Sequence, residues 1–269
     1  GINDDPVAQD DIGFIAEDGT LTVANSANAN VSGSYDATGE HSGDVIDTSS
    51  SSHTDSDADD SASLTVTAVR VGSTEGSGTA GTVGSALTGT YGQLTLNANG
   101  SYTYVANQTA ADALDAGDEA VDYFNYTVSD GDATDIAVIS IKVIGINDTP
   151  VAQNDVGVIA EDSTLTVTNG ANANESGGSY DATGEHSGDV INTSSSTHQD
   201  SDPDTSDTLT VTLIKKAGGS NTTVSSGSSY NSSGTAVTGS YGTLTIGADG
   251  SYKYVAQSDI SGFDAGETL

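Results

Sequence analysis

The chain has no cysteine, no methionine and no tryptophan, and its 269 residues include 5 basic residues against 39 acidic ones. Each shortage excludes something. Without cysteine there is no disulfide framework and no thiolate chemistry. A secreted protein built that way must take its rigidity from packing or from metal ions. A formal charge of −34 repels nucleic acid and anionic membrane surfaces, so neither is expected as a partner. No apolar run approaches the roughly 18 residues that span a bilayer, so no membrane insertion is expected in this segment. No signal peptide is visible either, and any export signal or anchor is expected to lie elsewhere. The motifs G-x-S-x-G, H-E-x-x-H and C-x-x-C are absent, and with them the commonest nucleophilic and zinc-hydrolytic sites. A carboxylate pair of the glycosidase kind is the one catalytic arrangement so acidic a chain leaves open. The lack of tryptophan and the scarcity of aromatic surface to hold a sugar argue against it. The chain is therefore not expected to be an enzyme.

What is present is a repeat. Gly1-Ile2-Asn3-Asp4-Asp5-Pro6-Val7-Ala8-Gln9 returns as Gly145-Ile146-Asn147-Asp148-Thr149-Pro150-Val151-Ala152-Gln153. Ile15-Ala16-Glu17-Asp18 returns at 159–162, and YDATGEHSGDVI at 35–46 returns unchanged at 180–191. Asp115-Ala116-Gly117 matches Asp264-Ala265-Gly266, but the second copy has no counterpart of 123–128 or of 136–143. The expected organisation is a complete repeat over 1–144 and a second over 145–269 that lacks its last two strands within this chain. Either the polypeptide continues with them or another chain supplies them.

Alternating β-branched and aromatic residues between Gly, Asn and Asp turns predict strands in the first repeat at 13–16, 20–24, 63–71, 91–96, 101–105, 121–129 and 134–144. Asn97-Ala98-Asn99-Gly100 is a strong hairpin turn. Residues 112–116 are expected to form a helical turn. About seven short strands per repeat and no helical periodicity suggest an all-β fold of tandem immunoglobulin-like, cadherin-like antiparallel β-sandwiches. Phe124, Tyr126 and Val128 are placed on one strand face, and Leu64, Val66 and Ala68 on another.

Up-down parity then sorts the acids. The turn with Glu17 and Asp18 and the connection with Asp112, Asp115, Asp118 and Glu119 fall at one pole. The connection with Asp55, Asp57, Asp59 and Asp60 and the turn with Asp130 and Asp132 fall at the other. The linker Asn147-Asp148 joins the first pole to the loop of Asp200, Asp202 and Asp204 in the second repeat. Each acid alone reads as an ordinary solvated turn residue. Together, without a cation, they would repel. Hard oxygen ligands in that number suit Ca²⁺, which is the expected cofactor. A uniformly salt-adapted surface would spread acids over strand faces too, yet the expected strands 20–24, 91–96 and 101–105 carry none. Asp55-Ser56-Asp57-Ala58-Asp59 opens like an EF-hand loop but fails it, with Asp60 in place of the glycine and Val66 in place of the glutamate.

The linker Gly-Ile-Asn-Asp-x-Pro, the Ala-Glu-Asp of the first turn, Asn-Gly-Ser-Tyr-x-Tyr at 99–104 and Tyr-Phe-Asn-Tyr-Thr-Val-Ser-Asp-Gly at 123–131 resemble the VCBS repeats of large bacterial RTX-type adhesins, relatives of cadherin-like domains. The resemblance implies a Ca²⁺-dependent extender, exported and held at the cell surface. It implies ligands at Glu17 and Asp18, Asp115 and Asp118, Asn147 and Asp148, and Asp200 and Asp202. Thr149 stands where a further acid or amide is usual, which leaves the number of ions open.

The stretch 25–54 contains Tyr35, Glu40, His41, Asp44 and His53. It is read as an extra surface loop with a solvated histidine, the alternative being a contact site or a second cation site using Glu40, His41 and Asp44. The stretch 72–87 is read as a plain loop. The expected function is a calcium-stiffened segment of a bacterial adhesin or extracellular fibre, with neighbouring repeats of the same or an identical chain as partners. A filament subunit completed by strand exchange, and an adhesin module binding surface glycans or host receptors, are the alternatives.

Overall fold

The Asn97–Gly100 turn shows how this sequence builds strands. Gly100 adopts φ 87°, a region closed to most side chains, and its N–H donates to Asn97 O at 3.1 Å while Asn97 N donates to Ser101 O at 2.9 Å. The strands on either side alternate, so Leu94, Leu96, Tyr102 and Tyr104 all point inward and are at most 1% exposed. The computed structural model describes residues 2–27, 41–46, 53–59, 63–172, 186–191 and 198–258. Tyr35, Glu40 and Asp60 lie outside the described residues. Two units result. The first comprises Gly1–Asp148 with Pro203–Ser206, and the second Thr149–Asp202 with Asp207–Leu269.

In chain order the first unit contains β1 (Asp11–Ala16), β2 (Thr20–Val23), β3 (Thr65–Val71), β4 (Thr79–Ala80), β5 (Ala86–Thr88), β6 (Gln93–Leu96), β7 (Tyr102–Val105), α1 (Thr109–Asp112), β8 (Glu119–Ser129) and β9 (Thr134–Ile144). One sheet has the order β1-β9-β8-β3-β4 and the other β2-β7-β6-β5. All pairings are antiparallel except β1 with β9, which run parallel from Asp11↔Ile139 to Ala16↔Ile144. One core joins the sheets, with Leu21, Leu94 and Tyr104 from the second and Phe124, Ile139 and Ile141 from the first. Burying each such side chain contributes about 1.5–3 kcal/mol. Tyr104 and Phe124 meet edge to face across the layers, centroids 6.3 Å apart.

The fold is all-β, as the alternation predicts, but details differ. The helical turn lies at Thr109–Asp112, N-terminal of the expected 112–116. The stretch 72–87 is not a plain loop: it carries β4 and the start of β5, where Leu87 is buried. A β-bulge between Val66 and Ala68 breaks the simple alternation of β3, so Val66 and Val69 are the inward residues. A bulge adds a residue to one strand and leaves no mark in the periodicity.

The second unit contains β10 (Thr164–Val167), β11 (Leu213–Ile214), β12 (Thr222–Thr223), β13 (Thr235–Thr238), β14 (Gly242–Ile246) and β15 (Tyr252–Ala256). Its sheet β10-β15-β14-β13 repeats β2-β7-β6-β5, with Thr164↔Val255 where the first unit has Thr20↔Val105. The smaller core holds Leu165, Val167, Val224, Ile246, Ala248 and Tyr252. No helix among the described residues is long and apolar enough to cross a membrane.

Candidate metal centre

The turn after β1 begins with Glu17, whose N–H donates to Ile144 O at 2.9 Å, and Asp18, whose N–H donates to Ala106 O at 3.0 Å. Asp18 takes a positive φ of 58° and is exposed. Glu17 is drawn inward and is only 2% exposed. Its Oε1 accepts the Ile146 N–H, whereas Oε2 is buried without a hydrogen-bond partner. The Asp148 N–H donates to Asp204 Oδ2 at 2.7 Å, which brings both carboxylates to Glu17. Ligand oxygens of Glu17, Asp148 and Asp204 all lie within 4.8 Å of one another.

Three carboxylates this close favour a proton or a cation. Burial, then the charges of Asp148, Asp204 and Asp18, lift Glu17 from 4.5 to about 6, against the opposing Ile146 hydrogen bond. An unpartnered buried carboxylate oxygen costs free energy, and a divalent ion would remove that cost. The donors are all hard oxygens, which suit Ca²⁺ or Mg²⁺ rather than zinc or copper. The three carboxylates could hold a metal ion.

The other expected ligands are placed differently. Asp115 accepts from Ser206 N–H at 3.0 Å and from the Ser206 hydroxyl, and these bonds hold its carboxyl below the usual range. Asp118 is exposed and contributes its backbone, its carbonyl accepting from Gly145 N–H at 2.9 Å. Asn147 is exposed and its side-chain amide donates to Asp148 O. Asp200 accepts from Gln153 N–H at 2.7 Å, and Asp202 is half-buried in the second unit. Asp204 was named among the loop acids but not among the ligands. Its mark in the sequence is the third place in Asp-x-Asp-x-Asp, shared with Asp59, whose Oδ2 accepts from Asp4 N–H at 2.9 Å.

The opposite group of acids in the first unit is held by hydrogen bonds. Asp130 accepts from Asn3 Nδ2 at 2.9 Å, Asp132 N at 2.8 Å and Ala133 N at 2.7 Å, and its carboxyl sits below the usual range. Asp132 is exposed. Asp57 accepts from Asp59 N at 2.7 Å, while its Oδ2 is buried without a partner.

Asp55 belongs to the interior, at 3% exposure. It accepts from Gln9 N–H at 2.7 Å and shares the Tyr126 hydroxyl with Asp11. That hydroxyl lies 2.9 Å from Asp11 Oδ2, 3.0 Å from Val45 O, 3.1 Å from Gln9 O and 3.3 Å from Asp55 Oδ2. One phenol proton cannot serve all these acceptors. Burial accordingly pushes Asp11 well up and Asp55 up to about 7, aided by Asp135 and Asp44. The stretch 41–46 packs against this group and is buried throughout, so His41 is not solvated as expected. Its Nδ1 accepts from Gly43 N–H at 3.1 Å, and burial lowers its pKa. Asp44 brackets the backbone, accepting from Ser26 N–H and from Ile46 N–H at 2.8 Å.

Sequence reasoning passed over Asp122 on β8. It accepts from Thr90, Tyr91 and Gly92 N–H at 2.7–3.0 Å and from the Tyr104 hydroxyl at 2.6 Å, tying the β5–β6 turn to the opposite sheet.

No protein-family model matches this chain, and no curated protein matches it significantly.

Proposed function

We propose that the chain is a calcium-stiffened structural segment of a bacterial surface adhesin or extracellular fibre. The observation that carries this reading is the Glu17–Asp148–Asp204 cluster with its buried, unpartnered Glu17 Oε2. Glu17 comes from a turn, Asp148 from the linker, and Asp204 from the segment Pro203–Ser206, all within the first unit. An ion held by all three restrains the linker, which is what a force-bearing or length-setting segment needs. The tandem repeat and the lack of disulfides agree with rigidity supplied by ions.

Calorimetry of the full chain with calcium and with EGTA tests the proposal. Calcium is expected to raise the melting temperature, because it binds the folded state alone. Identical traces would sink it. A second reading, a subunit completed by strands from elsewhere, is favoured by the apolar residues that the second unit leaves exposed.

A further inference from the structure

The two units share a framework but not its covering. In the first, β1 pairs with β9 and β3 pairs with β8, and Ile15, Val66 and Val69 are at most 3% exposed. In the second, the matching segments 155–160 and 209–212 form no ladder among the described residues, apart from an isolated bridge at Gly157. The matching side chains Ile159, Val211 and Ile214 are only partly buried. Val158 and Leu213 stand 44% and 53% exposed, where the first unit has the half-buried Phe14 and Ala68.

A polar feature accompanies this apolar one. The acceptors around the Tyr126 hydroxyl are set by three hydrogen bonds, and the second unit repeats all three. Gln153 N donates to Asp200 Oδ1 at 2.7 Å, as Gln9 N does to Asp55 at 2.7 Å. Ser187 Oγ donates to Asp155 Oδ1 at 2.8 Å, as Ser42 Oγ does to Asp11 at 2.7 Å. Val190 N donates to Gly250 O at 3.1 Å, as Val45 N does to Gly100 O at 3.1 Å. Among the described residues no tyrosine hydroxyl donates to Asp155 or Asp200. Burial and the charges of Asp200 and Asp189 hold Asp155 above the ordinary carboxylate range, as burial and the matching charges of Asp55 and Asp44 do Asp11.

We infer that this face of the second unit is a docking surface for one kind of partner: a β-hairpin of the β8–β9 type carrying a tyrosine in its first strand. Its second strand runs parallel to 155–160, its first antiparallel to 209–214, and the tyrosine hydroxyl enters the acceptor group of Asp155 and Asp200. The apolar face supplies area, and the acceptors supply register, since a one-residue slip would carry the tyrosine to the other face. Charge favours the same occupant. Lys215 and Lys216 follow β11, and the β8–β9 sequence carries Glu119, Asp122, Asp130, Asp132 and Asp135 against Lys142. The inference does not depend on the metal centre.

The test uses the full chain extended by a copy of residues 121–146 placed after Leu269, the junction set by the match of Asp264-Ala265-Gly266 to Asp115-Ala116-Gly117. Amide hydrogen exchange is read at 155–160 and 209–212 with the unextended chain as reference. These amides are expected to slow at least tenfold. Leu213→Asp, at an exposed site, should abolish the slowing, and Tyr126→Phe within the appended copy should remove most of it. Unchanged exchange overturns the inference, and slowing indifferent to Tyr126→Phe overturns the role of the acceptors. Protection already present in the unextended chain, rising with its concentration or appearing with calcium alone, gives the surface to a second copy or to an ion and overturns it too.

Discussion

Asp148 donates its backbone N–H to the Asp204 carboxylate at 2.7 Å, and Asp4 makes the same bond to Asp59 at 2.9 Å. The third acid of each Asp-x-Asp-x-Asp loop thus pins the Asn-Asp segment that opens its own repeat. In the first case Glu17 completes a three-carboxylate group. Calcium at a hundredfold excess over its Kd would stabilise the fold by about 2.7 kcal/mol. Glu17→Gln and Asp204→Asn should each remove more than half of that gain. In EGTA at pH 8, Glu17→Gln should leave the melting temperature level or raise it, because it deletes a repelling buried charge. Calorimetry of the four combinations decides, and a full calcium response in both variants would exclude the site.

Acidity offers a second handle. Glu17 is lifted from 4.5 to about 6 and Asp55 from 3.8 to about 7. The folded chain therefore holds these protons at pH values where the unfolded chain has released them. Stability of the ion-free protein should fall as pH rises from about 4 to about 7. Calcium should flatten the part due to Glu17 and leave the part due to Asp55. Melting temperatures between pH 4.5 and 8, with EGTA and with calcium, report both. A rise through this window without calcium would contradict the assignment.

Two buried tyrosines should respond in opposite ways. The Tyr126 hydroxyl serves Asp11 and Asp55, so Tyr126→Phe should cost about 1–3 kcal/mol by leaving buried acceptors without their donor. The Tyr102 hydroxyl is buried with no hydrogen-bond partner, so Tyr102→Phe should be neutral or stabilising. Urea unfolding of the two variants makes the comparison, and equal losses would refute it.

Asp122 is predicted to be the most damaging acid to remove. Asp122→Ala strands three backbone N–H groups and the Tyr104 hydroxyl, a loss of at least about 3 kcal/mol. Asp132→Ala, at an exposed turn, should change stability by less than about 0.5 kcal/mol. Denaturant midpoints of the pair test this ranking.

Much of the fold was legible because alternation is strict where one face is buried. The strand 134–144 was placed to the residue, and the inward set Phe124, Tyr126 and Val128 is buried throughout. The interior acids were not legible. Aspartate in a Gly/Ser-rich stretch reads as a turn residue, and nothing local marks Asp11, Asp44 or Asp55 as buried. Asp11 and Asp55 share a tyrosine hydroxyl that lies 115 and 71 positions away along the chain. The candidate site was half legible: parity named Glu17 and Asp148 as cation ligands, and the fold adds that their carboxylates gather with that of Asp204.

The parallel pairing of β1 with β9 has a mechanical consequence. The first and last strands of the first unit lie side by side, Asp11 opposite Ile139 and Ala16 opposite Ile144. A pull applied through the chain on either side of the unit draws these two strands past each other along their length. The ladder is then loaded in shear, so its hydrogen bonds must give way together rather than open one by one from an end. A stretched chain of such units would resist until a sharp threshold and then yield one unit at a time.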